Sequence, residues 1–151
     1  MTFSLNEFLP YRLSVAATEV SRRFAARYAA EAGLTIPEWR VLAHLGQSGT
    51  VSVRDITLRV NLDKSIVSRA ATRLEQAGLV GKAGHDKDRR LVALQLTPAG
   101  QVLMERLSGI AEEFQQELRV LLGPGADAFE NALDQLLSAV RSDQGAGQPS
   151  S

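Results

Sequence analysis

The stretch GHDKDRRLVALQLTPAG, residues 84–100, sets Asp86, Lys87, Asp88, Arg89 and Arg90 together between a glycine and an alternating apolar run. Guanidinium and ammonium groups crowded at a chain reversal suit the binding of phosphate oxygens, or entry into a narrow groove of negative potential. Taken alone, the run fits a solvated turn equally well. A second cluster upstream shifts the weight.

If KSIVSRAATRLEQA, residues 64–77, is helical, then Ile66, Val67, Ala70, Leu74 and Ala77 form an inward stripe. Lys64, Ser65, Ser68, Arg69, Thr72, Arg73 and Gln76 face outward. Solvated helix faces usually pair lysine with glutamate one turn apart. This face instead interleaves small hydroxyls with arginines and holds no outward acid in its first turns. Small hydroxyls let a helix lie close in a DNA major groove, where arginine pairs with guanine edges or phosphate.

Other chemistries lack their residues. Cysteine is absent, which removes thiol catalysis, thiolate metal sites and cysteine-based redox sensing. The two histidines, His44 and His85, belong to different elements, and no nucleophile elbow, Walker loop or zinc-protease His pair is present; GQSGT lacks the last glycine of an elbow. No catalytic residue, metal site or cofactor is expected, and the chain does not read as an enzyme. The N-terminal MTFSLNEFLPYRL has no basic stretch before an apolar run, and no segment reaches the roughly 18 apolar residues of a membrane helix. A cytoplasmic protein without a membrane partner is expected.

Net charge is zero, but its distribution is uneven. From Ser52 to Arg90 there are nine basic residues against five acidic ones, leaving eight against twelve in the rest of the chain. A basic island between acidic arms is the footprint of a protein that turns one face to phosphate.

The elements that must carry these clusters follow from periodicity and punctuation. Leu5 to Ala32, with Leu13, Ala16, Val20, Phe24 and Tyr28 at helical spacing, predicts a long amphipathic helix with Pro10 near its start and Gly33 at its end. Thr35 caps the next helix, with Glu38 three residues on and Trp39, Leu42 and Leu45 as its apolar stripe. After a short extended piece, Ser52 and Asp55 have the spacing of a capping box and open a brief helix over 53–60. Asn61 sits where a left-handed residue is wanted, Asp63 can cap the third helix, and Gly78 closes it. LVGKAG and LVALQLT read as strands flanking the charged tip, with Val92, Leu94 and Leu96 on one face. Thr97 and Pro98 start a long helix striped by Leu103, Leu107, Ile110, Phe114, Leu118 and Leu121. LLGPGAD breaks it before a last helix on which Phe129, Leu133, Leu136 and Val140 recur at spacings of 4, 3 and 4. The chain thus reads as one domain over 1–143, and 144–151 has the composition of a disordered tail. The long stripes exceed what one small domain needs, which leaves both an intramolecular core and an interface between copies open.

The order of helix, helix, turn, exposed helix and hairpin is that of a winged helix-turn-helix: a mainly α fold with a small β-hairpin wing. Within it, DRRLVALQLTPAG resembles the wing pattern of MarR-type transcriptional regulators, with Asp88, Arg90, Leu96, Thr97 and Gly100 in the fixed places. LDKSIVSRAATRLEQAGLV is similar to that family's recognition helix and the glycine after it. The resemblance spans essentially the whole chain up to the tail. It implies a homodimer built by N- and C-terminal helices, residues 5–33 and 98–143, around a DNA-binding lobe over 35–97, on a pseudo-palindromic operator in double-stranded DNA.

By the same resemblance, Arg90 is the minor-groove residue of the wing and Arg89 and Lys87 are phosphate contacts. Asp88 orients an arginine, since a carboxylate beside phosphate is repelled. Ser52 and Arg54 lie at a helix start, where backbone N–H groups favour phosphate. Members of the family respond to small aromatic or anionic effectors, for which Tyr11, Arg12, Ser14, Trp39, Arg40 and His44 are candidate lining residues; the same side chains would serve as core or solvated surface. A ligand-responsive repressor is the leading reading. A winged protein-interaction module or a non-specific architectural DNA binder is the alternative, separated by whether one site is bound on the order of a thousand-fold tighter than random duplex.

Overall fold

The computed structural model describes residues 2–60, 62–83 and 93–146. A short 3-10 turn, Leu5–Glu7, precedes α1 (Leu9–Ala32), α2 (Ile36–Ser48), β1 (Val51–Ser52), α3 (Val53–Val60), α4 (Lys64–Gln76), β2 (Val80–Ala83), β3 (Ala93–Leu96), α5 (Pro98–Leu122) and α6 (Ala126–Ala146). The chain divides into two compact units, Met1–Ala111 and Glu112–Ser151.

The termini of these elements have local causes. The run predicted helical from Leu5 begins as α-helix only at Leu9, with Pro10 in the first turn where its missing N–H leaves no intrahelical bond unmade. Gly33 ends α1 at φ 65°, a left-handed value that costs a glycine least. Thr35 and Glu38 form a reciprocal capping box at the start of α2. Ser52 Oγ accepts the Asp55 N–H at 3.1 Å. Asp63 precedes α4 with extended backbone but accepts no side-chain capping bond. Asn61, assigned a left-handed turn from sequence, lies outside the described residues, as do residues 84–92, predicted from sequence to form the charged tip of the hairpin.

In the first unit, the core collects Tyr28 of α1, Val41, Leu42 and Leu45 of α2, Ile56 of α3, and Val67, Ala70, Ala71 and Leu74 of α4. Val80, Leu94 and Leu107 close it from β2, β3 and α5. Burying each large aliphatic side chain contributes about 1.5–3 kcal/mol. The inward stripe of α4 shares Val67, Ala70 and Leu74 with the predicted one and departs from it elsewhere: Ala71 is buried, Ile66 is half-buried, and Ala77 is exposed as the C-cap. β3 lies between β1 and β2, antiparallel to both, with Val51 opposite Leu94 and Val80 opposite Leu96.

In the second unit, the end of α5 and α6 meet through Arg119, whose guanidinium binds Asp127 at 2.5 Å and also pairs with Glu130. Gln115 donates to the same Glu130 at 3.1 Å. The predicted break is the 3-10 turn Gly123–Gly125. α6 continues to Ala146, so residues 144–146 extend the helix into the segment whose composition suggests a tail.

One junction concentrates several constraints. Thr97 Oγ1 donates to the Gly78 carbonyl at 2.6 Å and accepts the Gly100 N–H at 3.1 Å, while the Thr97 N–H donates to the Leu79 carbonyl at 3.1 Å. Gly100 is buried, and a Cβ there would overlap the Leu79 carbonyl oxygen, which is backbone and cannot swing aside. Gly100→Ala is therefore expected to destabilise the protein by about 3 kcal/mol, the upper range for an overpacked core position. Urea denaturation monitored by circular dichroism checks this; an unchanged midpoint would mean the junction yields.

Candidate nucleic-acid interface

α4 owes its pose to its buried stripe, and that stripe decides which side chains are left for a partner. Lys64, Ser65, Arg69, Thr72, Arg73 and Gln76 are exposed and Ser68 is half-buried, as the wheel predicts. No acidic residue lies in the first turn. Three of these groups are already engaged. Arg69 Nε donates to the Ser65 carbonyl at 3.3 Å, and the Thr72 hydroxyl donates to the Ser68 carbonyl at 2.9 Å. Arg73 turns back to α2, where its Nη1 lies 3.3 Å from Glu38 Oε1. Further along, Glu75 faces Lys82 of β2 at 4.0 Å.

Arg54 stands exposed in the first turn of α3, beside Ser52, whose hydroxyl is occupied by its cap. Lys87, Asp88, Arg89 and Arg90 lie outside the described residues. β2 and β3, which lead into and out of them, pair from Val80–Leu96 to Ala83–Ala93.

The six residues proposed for an effector do not converge on one described cavity. Tyr11, Arg12 and Ser14 lie on the exposed first half of α1. Trp39 stacks on Tyr28 with ring centroids 5.7 Å apart and meets Phe24 edge-on at 5.0 Å. Arg40 follows it on α2. The Tyr28 hydroxyl is buried without a hydrogen-bond partner among the described residues, and its pKa is pushed up to about 12. Burial is the main cause; Arg40 works against the shift and Glu38 adds to it. His44 Nε2 lies 3.2 Å from Arg59 Nη1. A separate cavity of about 440 Å3 opens between α2, β3 and α5, walled by Gly46, Gly49, Gln95, Gln101, Met104 and Ser108 among others. Its walls come from elements far apart in the chain, so no local pattern announces it. Glu38 was visible in the sequence only as a helix-start residue; its Thr-x-x-Glu spacing signals the cap but not the bond to Arg73.

His44 has its pKa lowered, first by burial and then by the Arg59 cation, with Asp55 acting in the opposite direction. A folded-state pKa below the ordinary 6.5 makes the neutral imidazole the favoured form. Its contribution to stability is complete above that value and is lost as pH falls toward the folded-state pKa. Denaturation midpoints are expected to drop more between pH 7.5 and 5.5 for the wild type than for His44→Gln. Equal drops would dissociate His44 from the acid sensitivity.

Helices α2, α3 and α4 with the three-stranded antiparallel sheet β1-β3-β2 have the arrangement of a winged helix-turn-helix fold. A MarR family sequence model matches residues 32–91. The HTH-type transcriptional regulator FarR of Neisseria gonorrhoeae is 30% identical over 93 residues, covering 62% of this chain and 64% of FarR. A MarR family regulator from Silicibacter pomeroyi DSS-3 superposes with a TM-score of 0.81 at 27% identity, over 92% of this chain and 99% of that one. Bordetella bronchiseptica BpsR, whose DNA binding is regulated by 6-hydroxynicotinic acid, has a TM-score of 0.77 at 25% identity, over 91% of this chain and 98% of its own. The fold is that of MarR family winged-helix regulators, and residues 32–91 carry the sequence likeness to that family.

Proposed function

We propose that the protein is a sequence-specific, ligand-responsive repressor that binds a pseudo-palindromic operator as a homodimer. The observation that carries the reading is the outward face of α4: Lys64, Ser65, Arg69 and Thr72 are exposed over a buried apolar stripe, with no acid in the first turn. That face enters the major groove, where Ser65, Ser68 and Thr72 permit close approach and Lys64 and Arg69 meet phosphate or guanine. Ser52 and Arg54 hold phosphate at the start of α3. Lys87, Arg89 and Arg90 serve the wing, with Asp88 restraining them.

The second copy has surface to cover. Leu9, Leu13, Val15 and Val20 are exposed on α1, and Phe129, Leu136, Leu137 and Val140 on α6. Apolar side chains left bare at helical spacing suit an interface between copies. The resemblance assigns both segments to dimerisation, and two-fold dimers meet half-sites about one helical turn apart. Sedimentation at micromolar concentration should show a dimer; a persistent monomer counts against the operator geometry.

For the effector, a small aromatic or anionic molecule, the regulation of BpsR supports the class. Two walls compete: the cavity with Met104 and Ser108, and the Trp39 and Arg40 end of α2 with Tyr11, Arg12, Ser14 and His44 as further candidates. Thermal-shift screening with aromatic carboxylates should find stabilising ligands that release a bound DNA duplex. Met104→Trp abolishes the shift if the cavity is the site, and Trp39→Ala abolishes it if the aromatic end is.

DNA binding itself is tested by titration across salt concentrations. Arg69→Ala and Arg90→Ala should each weaken binding and reduce the salt slope by about 0.9, one phosphate contact each. Ser68→Ala should relax base preference with little change in slope. An Arg90 variant that folds and binds like the wild type removes the wing from the interface.

A further inference from the structure

We propose that Glu38 is a positioning residue for DNA recognition: its carboxylate caps α2 and also ties down Arg73, so that Arg73 sets the pose of α4 and does not contact phosphate. The inference deepens the reading of α4 as the DNA-contacting helix and rests on it.

Glu38 is the one charged residue buried among the described residues, at 7% exposure. Capping needs only one carboxylate oxygen, and here Oε2 accepts the Thr35 N–H at 3.1 Å. The other oxygen, Oε1, accepts from Arg73 Nη1 at 3.3 Å. A capping glutamate on a surface helix stays in water; a buried one needs a cation, because an unpaired buried charge is strongly disfavoured. Arg73 supplies it although half of its side chain is exposed. The guanidinium therefore points back across the helix interface from the face on which Lys64, Ser65, Arg69 and Thr72 stand.

The position along α4 agrees. Arg73 lies nine residues after Lys64, about 13 Å along the axis at the usual rise. Recognition helices read base edges with their N-terminal residues, so Arg73 sits behind the reading positions. What α4 lacks at this point is a directional contact. Ala70 and Ala71 make up half of its buried stripe and offer little shape to stop the helix rotating or sliding on α2. Apolar burial has no direction; a charge-assisted hydrogen bond does. The Glu38–Arg73 bond is the only ion pair between α2 and α4 among the described residues.

The far end of the tether is anchored. Trp39, next in sequence, packs against Phe24 and Tyr28 of α1, and α1 ends at Ala32 only three residues before Thr35. A shift of α1 against α2 thus reaches Arg73 through the same short segment that caps α2.

The test uses the full chain, a duplex selected by the wild-type protein from a random-sequence library, and an unselected duplex of equal length. Glu38→Gln keeps an acceptor for Thr35 and removes the charge. Arg73→Gln removes the cation from a partly exposed position and guards against misfolding of the first variant; thermal unfolding confirms that each is folded. Each variant should lose about tenfold in discrimination between the two duplexes, and the double variant no more than either alone, as expected for one shared interaction. Arg73→Gln should leave the salt slope at the wild-type value. A slope flattened by about 0.9, with equal losses on both duplexes, would make Arg73 a phosphate contact and overturn the proposal. So would a folded Glu38→Gln that discriminates like the wild type. A wild-type protein that selects no duplex refutes the regulator reading and this inference with it, whereas failure in the variants alone refutes only the inference.

Discussion

The seating of α4 is the constraint on which the domain's other features depend. A helix that offers one face to a partner must bury the opposite face firmly enough to hold its orientation, and here Val67, Ala70, Ala71 and Leu74 join the core shared with Val41, Leu42 and Leu45. Two alanines in that stripe bring the α4 backbone close to its neighbours, but they provide few contacts that resist rotation. The structure adds direction at the margins. Glu38 holds Arg73 from the α2 side, and the Leu79 N–H returns to the Leu74 carbonyl at 3.0 Å where α4 ends.

The handover from sheet to α5 is the second constraint. Thr97 serves the end of α4, the start of β2 and the first turn of α5 through three hydrogen bonds, and Gly100 is needed because the Leu79 backbone occupies the place of a Cβ. The Leu-Thr-x-x-Gly spacing that marks the family in this sequence thus has a mechanical reason. The Thr97 hydroxyl makes two of these bonds, and a Cβ at Gly100 would overlap the Leu79 carbonyl oxygen.

Much of this was legible from residue types because it depends on local spacing. Capping bonds join residues three apart, so Thr35–Glu38, Ser52–Asp55 and Thr97–Gly100 follow from the sequence. The exposed hydroxyls and basic residues of α4 follow from its 3.6-residue period. The errors fall where local rules run out. The wheel placed Ala77 inward, but the helix ends before it, and Ala71 is buried in the core in its stead. Polar composition after Ser142 suggested a tail, yet helical hydrogen bonding carries α6 to Ala146. Where the sequence left burial open, Leu13 and Val20 of the α1 stripe are exposed, since burial depends on what lies opposite and not on period alone.

By itself, then, the sequence determined the order of elements, most of their caps, the basic middle of an otherwise neutral chain, and the identity of the α4 face left exposed. These depend on neighbours within a few positions, where backbone geometry leaves little choice. Only the tertiary structure decided that Arg73 faces Glu38 across thirty-five positions, that His44 meets Arg59, and that an open cavity lies between α2, β3 and α5. A side chain's partner across the core depends on how helices cross, and that angle is set by the sum of many small packing contacts, none of which is written in any one segment.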